Sequence, residues 1–299
     1  MYNGVLNIYK EAGFTSHDVV AKLRGILKQK KIGHTGTLDP DAVGVLPVCL
    51  GKATKLCDML TDERKTYRAV LRLGVSTDTQ DMSGQVLNEH PVECSEEETQ
   101  ACVESFLGDQ MQVPPMYSAL KINGKKLYEL AREGKTVERQ PRPVTFYDIT
   151  ICQMSLPTVT LLVTCSKGTY IRTLCHDIGE KLGCGGAMEH LTRVSVGRFS
   201  IEEALTLNQV EELKLKELVE EHLISVDGMF ENLMEGLVKP EFDLLVHNGN
   251  PLRPDQIVDI QPEEEGYSLL RVYDSTHQFM GIYEYHAGRS IYKPKKMFL

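Results

Sequence analysis

The segment that most limits how this chain can fold is residues 33–55, GHTGTLDPDAVGVLPVCLGKATK. Four glycines and two prolines interrupt it, and no single amphipathic period runs through it. Ordering so many glycines costs conformational entropy, so the segment gains little from folding unless it surrounds something. We therefore expect this segment to wrap a ligand.

A phosphate-binding loop is the first hypothesis for a glycine-rich segment that contains lysine. Six residues separate Gly44 from the Gly51–Lys52 pair, whereas a phosphate loop has four. Ala53 stands where a serine or threonine would bind magnesium. The spacing therefore excludes the nucleotide-hydrolysing class built on this loop.

Asp39 lies directly before a proline, and on the residues alone the commoner interpretation of that pair is a turn. The flanks GHTGTL and VGVLPVCL are, however, too apolar for an ordinary exposed turn, which favours a carboxylate inside a cleft. Such a carboxylate needs a partner, usually an arginine. Arg172, on a predicted helix, is a candidate, but an arginine in a first helical turn is usually a surface residue, and the sequence does not derive the pairing.

The composition is that of an ordinary globular protein, with 299 residues, 41% hydrophobic and 25% charged. We find no apolar run of membrane-helix length and no signal-peptide pattern at the N-terminus, which favours a cytoplasmic protein. Eight cysteines form no C-x-x-C pair and lie mostly in apolar stretches. Reduced core thiols are therefore expected rather than disulfides or a metal site.

The charge is distributed unevenly along the chain. The net charge is −9, but residues 200–299 hold 9 Lys and Arg against 19 Asp and Glu, which leaves the rest near neutral. Within that rest, residues 112–143 carry seven basic residues and three glutamates. A local basic segment can attract an anion, although solvated surface lysines are the commoner explanation. Tyr67, Tyr117 and Tyr170 each lie near Lys or Arg, a pattern that suits RNA bases but also ordinary sheet packing.

The pattern of elements predicts an α+β fold with a mostly antiparallel central sheet flanked by helices. Capping boxes at Thr15/Asp18 and Ser95/Glu98 predict two helix starts, and Gly183 predicts the end of a third helix. Residues 112–143 are an excursion from the sheet, and acidic helices are expected over 201–235. We place a boundary near Pro240, between residues 1–238 and a small β-rich module at 239–299.

Taken together, these segments resemble the TruB-type tRNA pseudouridine synthases. The family pattern G-H-[TG]-G-x-L-D-P-x-A-x-G-x-L-P-x-x-x-G-x-A-T-K is met by residues 33–55. Further family blocks match residues 65–81, PPMYSALK at 114–121, CSKGTYIRTL at 165–174 and HLTRVSVGRF at 190–199. Glu11 departs from the family, which has proline there. The match runs in order over about residues 1–238 and is specific.

The resemblance implies the pseudouridine synthase fold, with a PUA-like RNA-binding module at the C-terminus. It implies that uridine 55 in the T loop of tRNA is converted to pseudouridine. This reaction breaks the N1–C1′ bond, turns the base and joins C5 to C1′, without a cofactor or a metal. The expected partner is the T arm of tRNA, and the expected state is a monomer.

The resemblance also implies roles for individual residues. Asp39 matches the catalytic nucleophile, Arg172 the arginine that pairs with it, and Tyr67 the tyrosine that stacks on the target base. His34 matches the histidine that fills the space of the flipped nucleotide. The remaining matches are two residues of the uracil pocket, Tyr170 and Leu191, one residue near the phosphates, Lys10, and four basic residues of the RNA-clamping insertion, Lys121, Lys125, Lys126 and Arg132.

One alternative keeps the same surface without the chemistry: a non-catalytic tRNA-binding protein or RNA chaperone. Intact Asp39, Tyr67 and Arg172 favour the enzyme, because binding alone does not require them.

Overall fold

The computed structural model describes residues 1–122, 124–260, 262 and 268–299. The α-helices are Ser16–Leu27 (α1), Cys57–Thr61 (α2), Glu96–Glu104 (α3), Leu127–Arg132 (α4), Ile171–Leu182 (α5), Leu207–Leu215 (α6) and Asp243–His247 (α7). The strands are Gly4–Lys10 (β1), Ile32–His34 (β2), Val43–Leu50 (β3), Lys65–Leu73 (β4), Val75–Thr77 (β5), Val86–Glu89 (β6), Gly108–Gln112 (β7), Lys121–Ile122 (β8), Lys125–Lys126 (β9), Arg142–Ser155 (β10), Thr158–Cys165 (β11), Gly186–Val196 (β12), Phe199–Ser200 (β13), Met234–Leu237 (β14), Leu269–Tyr273 (β15), Phe279–His286 (β16) and Ile291–Met297 (β17).

The helix boundaries predicted from capping residues are confirmed. Thr15 and Ser95 each form a complete capping box at the start of α1 and α3, so side chains satisfy backbone N–H groups that the helix leaves free. Gly183 ends α5 with φ 77°, in the left-handed region that glycine adopts without strain. Local sequence signals therefore fix where these helices begin and end.

A nine-stranded sheet forms the centre of the molecule, in the order β1-β3-β12-β4-β11-β10-β7, with β2 and β13 pairing at β3 and β12. All of its pairs are antiparallel except β12 with β3. The predicted α+β class with a mostly antiparallel sheet is thus confirmed. Helices α3 and α5 pack against this sheet through buried residues that include Leu174 and Ile178, each contributing about 1.5–3 kcal/mol by burial.

One row of paired residues crosses four strands of this sheet. Lys10 pairs with Gly44, Gly44 with Arg193, and Arg193 with Tyr67. Gly44 has φ 106°, and a Cβ placed on it would lie 2.2 Å from the Arg193 carbonyl oxygen. Only glycine allows β3 and β12 to approach this closely.

The glycine-rich segment at 33–55 contains more regular structure than its composition indicates. It begins in the antiparallel pair β2–β3 and continues into a 3₁₀ turn at Gly51–Leu56. Between β2 and β3 lies the active-site loop, residues 35–42. Strand β3 is a buried internal strand, and Pro47 within it contributes only a carbonyl, which accepts a hydrogen bond from the Thr35 N–H at 3.2 Å.

A second sheet, β14-β15-β16-β17, forms the C-terminal module, which confirms a small β-rich unit there. It begins at Met234, five residues before the predicted start of the module at 239, because β14 pairs in parallel with β15. Phe230, Phe279 and Phe298 join this module to the rest of the protein in one apolar cluster.

The prediction of acidic helices over 201–235 is only partly right. Helix α6 is present, but the segment around it consists of short 3₁₀ turns. Glu217 adopts φ 61°, a left-handed conformation that does not continue a helix beyond α6.

Candidate active site

Asp39 and Arg172 lie side by side at the centre of the candidate active site. Asp39 stands in the active-site loop, and Arg172 in the first turn of α5. The Arg172 Nε lies 3.1 Å from Asp39 Oδ2, and Nη2 donates to Oδ1 at 3.4 Å. Two guanidinium nitrogens thus face the two carboxylate oxygens, an arrangement that fixes orientation as well as charge. The pairing implied by the resemblance is present.

The Arg172 guanidinium is itself held rigidly. Its side chain is only 6% exposed, against 42% for that of Asp39. Nη1 donates to the Thr79 carbonyl at 3.1 Å and contacts Asp81 Oδ2 at 3.3 Å, and Nη2 donates to the Tyr117 carbonyl at 2.9 Å. The arginine therefore presents a fixed surface to the more exposed carboxylate.

Asp81 is a site residue that the sequence reasoning did not identify. It forms a second ion pair with Arg172, and its other oxygen accepts hydrogen bonds from the Thr79 hydroxyl at 2.8 Å and from the Ser83 N–H at 3.1 Å. Its signal was available, because Asp81 is the last residue of the family block at 65–81.

Burial raises the pKa of the Asp39 carboxyl above its usual range. The charge of Arg172 opposes this effect, while that of Asp81 adds to it. The result is a half-buried carboxylate with one dominant cationic partner. Such a group can attack a carbon that develops positive charge, or stabilise it.

Tyr67 lies in β4, where its ring is buried within the core cluster between the sheet and α5. Burial raises the pKa of its hydroxyl, and the charge of Arg193 on the neighbouring strand opposes this effect. Arg193 was also missed, although it stands two residues after Leu191 in a matched family block. The charge of Asp39 raises the Tyr67 pKa as well, and Tyr67 shares its apolar cluster with Leu38 and Ile171, the neighbours of Asp39 and Arg172.

His34, Tyr170 and Leu191 are the remaining residues predicted to contact the flipped nucleotide or its pocket. His34 ends β2, and its ring packs edge-on against that of His17 at a centroid distance of 5.1 Å. Burial lowers the pKa of His34, as do the charges of His17 and Arg193, so the neutral imidazole is favoured. Tyr170 precedes α5, and the charges of Arg172 and Asp39 both act on its pKa, which burial raises. Leu191 packs against the core cluster that holds Tyr67.

Lys10 is not placed at the surface. It is fully buried, and its Nζ donates to the carbonyls of Glu11 at 3.1 Å, Phe14 at 2.7 Å and Pro40 at 2.9 Å. Burial lowers its pKa to about 8. Lys10 therefore ties the active-site loop to β1 through the Pro40 carbonyl, and its predicted place near the phosphates stays a prediction.

The four predicted RNA-binding residues lie on a small β-hairpin and on α4. Lys121 and Lys125 are exposed, and Lys125 pairs with Glu133 at 3.7 Å. The Lys126 Nζ donates to the Tyr128 hydroxyl at 3.2 Å, and the Arg132 guanidinium stacks over the Tyr128 ring. The root of this insertion reaches the site through the Tyr117 carbonyl.

No cluster of three or more His, Cys, Asp or Glu side chains within the described ranges is arranged to hold a metal ion. The eight cysteines are free thiols. Of the helices described here, none has both the length and the apolar character needed to cross a bilayer.

Comparison with known proteins agrees with this geometry. Residues 24–171 match the TruB family pseudouridylate synthase N-terminal domain, and residues 172–240 match the tRNA pseudouridylate synthase B C-terminal domain. The chain is 51% identical to a tRNA pseudouridine synthase B of Lachnoclostridium phytofermentans, over 99% of this chain and 100% of the relative. It is 45% identical to the protein of that name from Alkaliphilus oremlandii, over 94% of this chain and 97% of the relative.

A solved structure shares the fold. A crystal structure of a Cbf5–Nop10–Gar1 complex contains a chain that is 26% identical and superposes with a TM-score of 0.72. The match covers 99% of this chain and 85% of that one. Sequence, fold and the arrangement of the site therefore lead to one conclusion: the chain belongs to the TruB family of pseudouridylate synthases.

Proposed function

We propose that this pseudouridylate synthase converts uridine 55 in the T loop of tRNA to pseudouridine, with Asp39 as the nucleophile. Relatives that share about half of its residues are named tRNA pseudouridine synthase B, which supports tRNA as the substrate. In the reaction the N1–C1′ bond breaks and a C5–C1′ bond forms, while C5 loses a proton and N1 gains one. Atoms and charge balance without a redox step.

The ion pair between Asp39 and the buried Arg172 carries this proposal. Holding a carboxylate partly out of water costs free energy, and an RNA-binding surface has no need of it. A reaction that develops positive charge at C1′ does need a fixed anion. Arg172 keeps that anion ionised and aimed.

The surrounding residues support a flipped nucleotide. The uridine of a folded loop is hidden, so it must leave the stack to reach Asp39. Tyr67 would stack on the uracil, Tyr170 and Leu191 would line its pocket, and His34 would fill the space that the base leaves. Burial lowers the pKa of His34 and favours its neutral imidazole. The ring can therefore take the place of the flipped base in the stack without adding a buried charge.

The basic insertion at 112–143 would clamp the T arm through Lys121, Lys125, Lys126 and Arg132. Exposed cations on a short helix and hairpin can adapt to a phosphate backbone. In this proposal Lys10 acts on the loop that carries Asp39 and not on phosphate. The β-rich C-terminal module would be the PUA-like unit, and the enzyme would act as a monomer in the cytoplasm, where tRNA is found.

The test compares two aspartates of the same loop. Asp39→Asn should lower pseudouridine formation in a tRNA transcript by about three orders of magnitude or more, because the nucleophile is lost. Asp41→Asn, at an exposed position two residues away, is the matched control and should stay near wild type. Carbodiimide mapping gives the modified position, and a transcript with cytidine at position 55 should remain unmodified.

The alternative, a non-catalytic tRNA-binding protein or chaperone, predicts a different outcome. Wild-type protein would then leave tRNA unmodified, and Asp39→Asn would bind and refold tRNA as well as the wild type does. Normal modification by the Asp39→Asn protein would sink the nucleophile assignment, and modification elsewhere than position 55 would correct the substrate site.

A further inference from the structure

Arg193 is a buried cation that the proposed function has not used. It lies in β12 and is fully buried. Its Nε donates to the Val45 carbonyl at 2.6 Å, and Nη2 donates to the Gly36 carbonyl at 3.4 Å. Within the described residues, Nη1 has no acceptor and no carboxylate lies within 4 Å of the guanidinium. Since a buried charge is normally paired, this arrangement calls for a reason.

The nearest reactive group on the same sheet is the Tyr67 phenol. Arg193 and Tyr67 are directly paired across β12 and β4, and side chains of such pairs share one face of the sheet. The guanidinium lies beneath the active-site loop, where its Nη1 is 3.9 Å from the position a Gly36 Cβ would take. Its charge acts on the pKa of Tyr67, His34, Lys10 and Lys65.

We propose that Arg193 is a positioning residue that acts through Tyr67, by stabilising its phenolate while Tyr67 carries a proton between two atoms of the base. This inference rests on the proposed function. Once the N1–C1′ bond has broken, the Tyr67 hydroxyl gives its proton to N1. After C5 has bonded to C1′, the phenolate removes the C5 proton and becomes a phenol again. One proton leaves C5 and one arrives at N1, so no other reactant is needed.

The free Nη1 has a place in this scheme. A phenolate in a low-dielectric site costs much free energy unless a cation lies beside it. A guanidinium that spent all its donors on backbone carbonyls would supply charge but no hydrogen bond. The Nε and Nη2 nitrogens of Arg193 hold β3 and the active-site loop, and the N–H groups of Nη1 are available for the phenolate oxygen.

The experiment is a double-mutant cycle measured as tritium release from C5-labelled uridine in single turnovers. Arg193→Gln removes the charge but keeps an N–H donor for the carbonyls, and we expect a rate loss of about 10- to 100-fold. Arg193→Lys keeps the charge and should stay within about fivefold of wild type. In the Tyr67→Phe background, which lacks the hydroxyl, Arg193→Gln should add less than about twofold.

A structural role for Arg193 predicts the opposite pattern. Losses that multiply in the double variant, or a Tyr67→Phe rate equal to the wild type, would overturn the inference. Thermal unfolding of each variant checks the fold. If Arg193→Gln does not fold, Arg193→Lys takes its place in the cycle. A rate loss above tenfold for Arg193→Lys, present also in the Tyr67→Phe background, would overturn the inference.

The same assay distinguishes a failure of the proposed function from a failure of the role of Arg193. Activity of Asp39→Asn would contradict the proposed function, whereas an inactive Asp39→Asn together with multiplying losses would contradict only the role of Arg193.

Discussion

The active-site loop and the basic insertion are both segments outside the regular sheet, yet they are held in different ways. The loop is tied from beneath by side chains of the sheet and of α1. Lys10 binds the Pro40 carbonyl, and the Ser16 hydroxyl accepts a hydrogen bond from the Leu38 N–H at 3.0 Å. Strand β1 and helix α1 thus hold the residues on either side of Asp39.

The insertion is held mainly by its own residues. The Tyr128 N–H donates to the Ser118 carbonyl, and the Lys125–Glu133 pair is exposed at both ends. A segment with few buried contacts adapts to a partner, while one fixed by buried hydrogen bonds keeps a reactive group in place. From this difference we expect the active-site loop to carry the chemistry and the insertion to carry RNA affinity, so variants in the two regions should affect kcat and KM separately.

Among the variants that compare the two regions, the largest effect is expected at Arg172, which in the proposed function aims Asp39. Arg172→Met should lower kcat by about 10²- to 10³-fold, because Asp39 loses its hydrogen-bonding partner. It should also lower the free energy of unfolding by about 3–5 kcal/mol, because Asp81 loses its cationic partner and the Thr79 and Tyr117 carbonyls lose their donor. Single-turnover kinetics and urea unfolding measure the two effects.

The matched control for Arg172 is Arg198, whose pair with Glu231 is exposed. Arg198→Met should change the free energy of unfolding by less than about 1 kcal/mol and leave kcat unchanged. A change in KM without a change in kcat for Arg172→Met would contradict the expected division between chemistry and RNA affinity.

Variants in the basic insertion should change KM for tRNA and leave kcat nearly unchanged. Replacing Lys125 and Lys126 by alanine should raise KM for tRNA about tenfold and leave kcat of the saturated enzyme within about twofold. The slope of log affinity against log salt should become shallower by about 1 to 2, because fewer counterions are released. Lys216→Ala, an exposed lysine in the acidic part of the chain, should change neither quantity.

Replacing Lys10 tests whether its hydrogen bond to the Pro40 carbonyl supports the active-site loop. Lys10→Met leaves three carbonyls without their donor, but it also removes the cost of burying an ammonium whose pKa is lowered from 10.5 to about 8, which corresponds to about 3 kcal/mol. We therefore expect a small change in stability, and a kcat about tenfold lower because Pro40 is released. KM for tRNA should not change, whereas a phosphate contact by Lys10 would raise it.

The Lys10 charge also predicts a dependence on pH. The folded protein releases the Lys10 proton near pH 8, while the unfolded chain keeps it until about 10.5. Between these values the unfolded state binds more protons, so the free energy of unfolding of the wild type should rise with pH relative to that of Lys10→Met. Urea unfolding at several pH values measures this difference, and a difference that falls with pH would contradict it.

The smallest effect is a shift of the acid limb of activity. Because burial raises the pKa of Asp39, kcat/KM should fall with decreasing pH at values above the ordinary range of an aspartic acid. Arg172 lowers that pKa, so the limb should move to higher pH in Arg172→Gln. Arg198→Gln should leave the limb where it is. A limb that moves to lower pH in Arg172→Gln would contradict the assignment to Asp39.

Much of the fold was predictable, because caps and alternating strands are local signals. The starts of α1 and α3 follow from their capping boxes, and the end of α5 follows from Gly183. The start of the C-terminal sheet was not predictable, since β14 exists only by pairing with β15 some 35 residues later in the chain. The short turns around α6 were also missed, because an acidic composition does not distinguish a helix from a series of turns.

The pair of Asp39 and Arg172 was predictable from matched family blocks, and the structure contains it. Tyr67 also lies in a matched block, and it shares an apolar cluster with Leu38 and Ile171, the neighbours of that pair. The surroundings of Lys10 could not be predicted, because burial under the active-site loop depends on how β1 and the loop pack. Asp81 and Arg193 lie within matched blocks, but neither residue type alone indicates a role in the site. Asp81 contacts Arg172, and Arg193 is paired with Tyr67, and only the folded structure shows these two relations.

The row that joins Lys10, Gly44, Arg193 and Tyr67 across four strands has a consequence for which changes in chain length the enzyme tolerates. Inserting or deleting one residue within any of these strands shifts its register and turns its side chains to the opposite face. A shift in β1 would remove the Lys10 support of the loop, and a shift in β3 or β12 would remove their close approach. A shift in β4 would turn the Tyr67 phenol away from the site. Insertions in exposed loops leave the row untouched, so we expect length variation to be tolerated there.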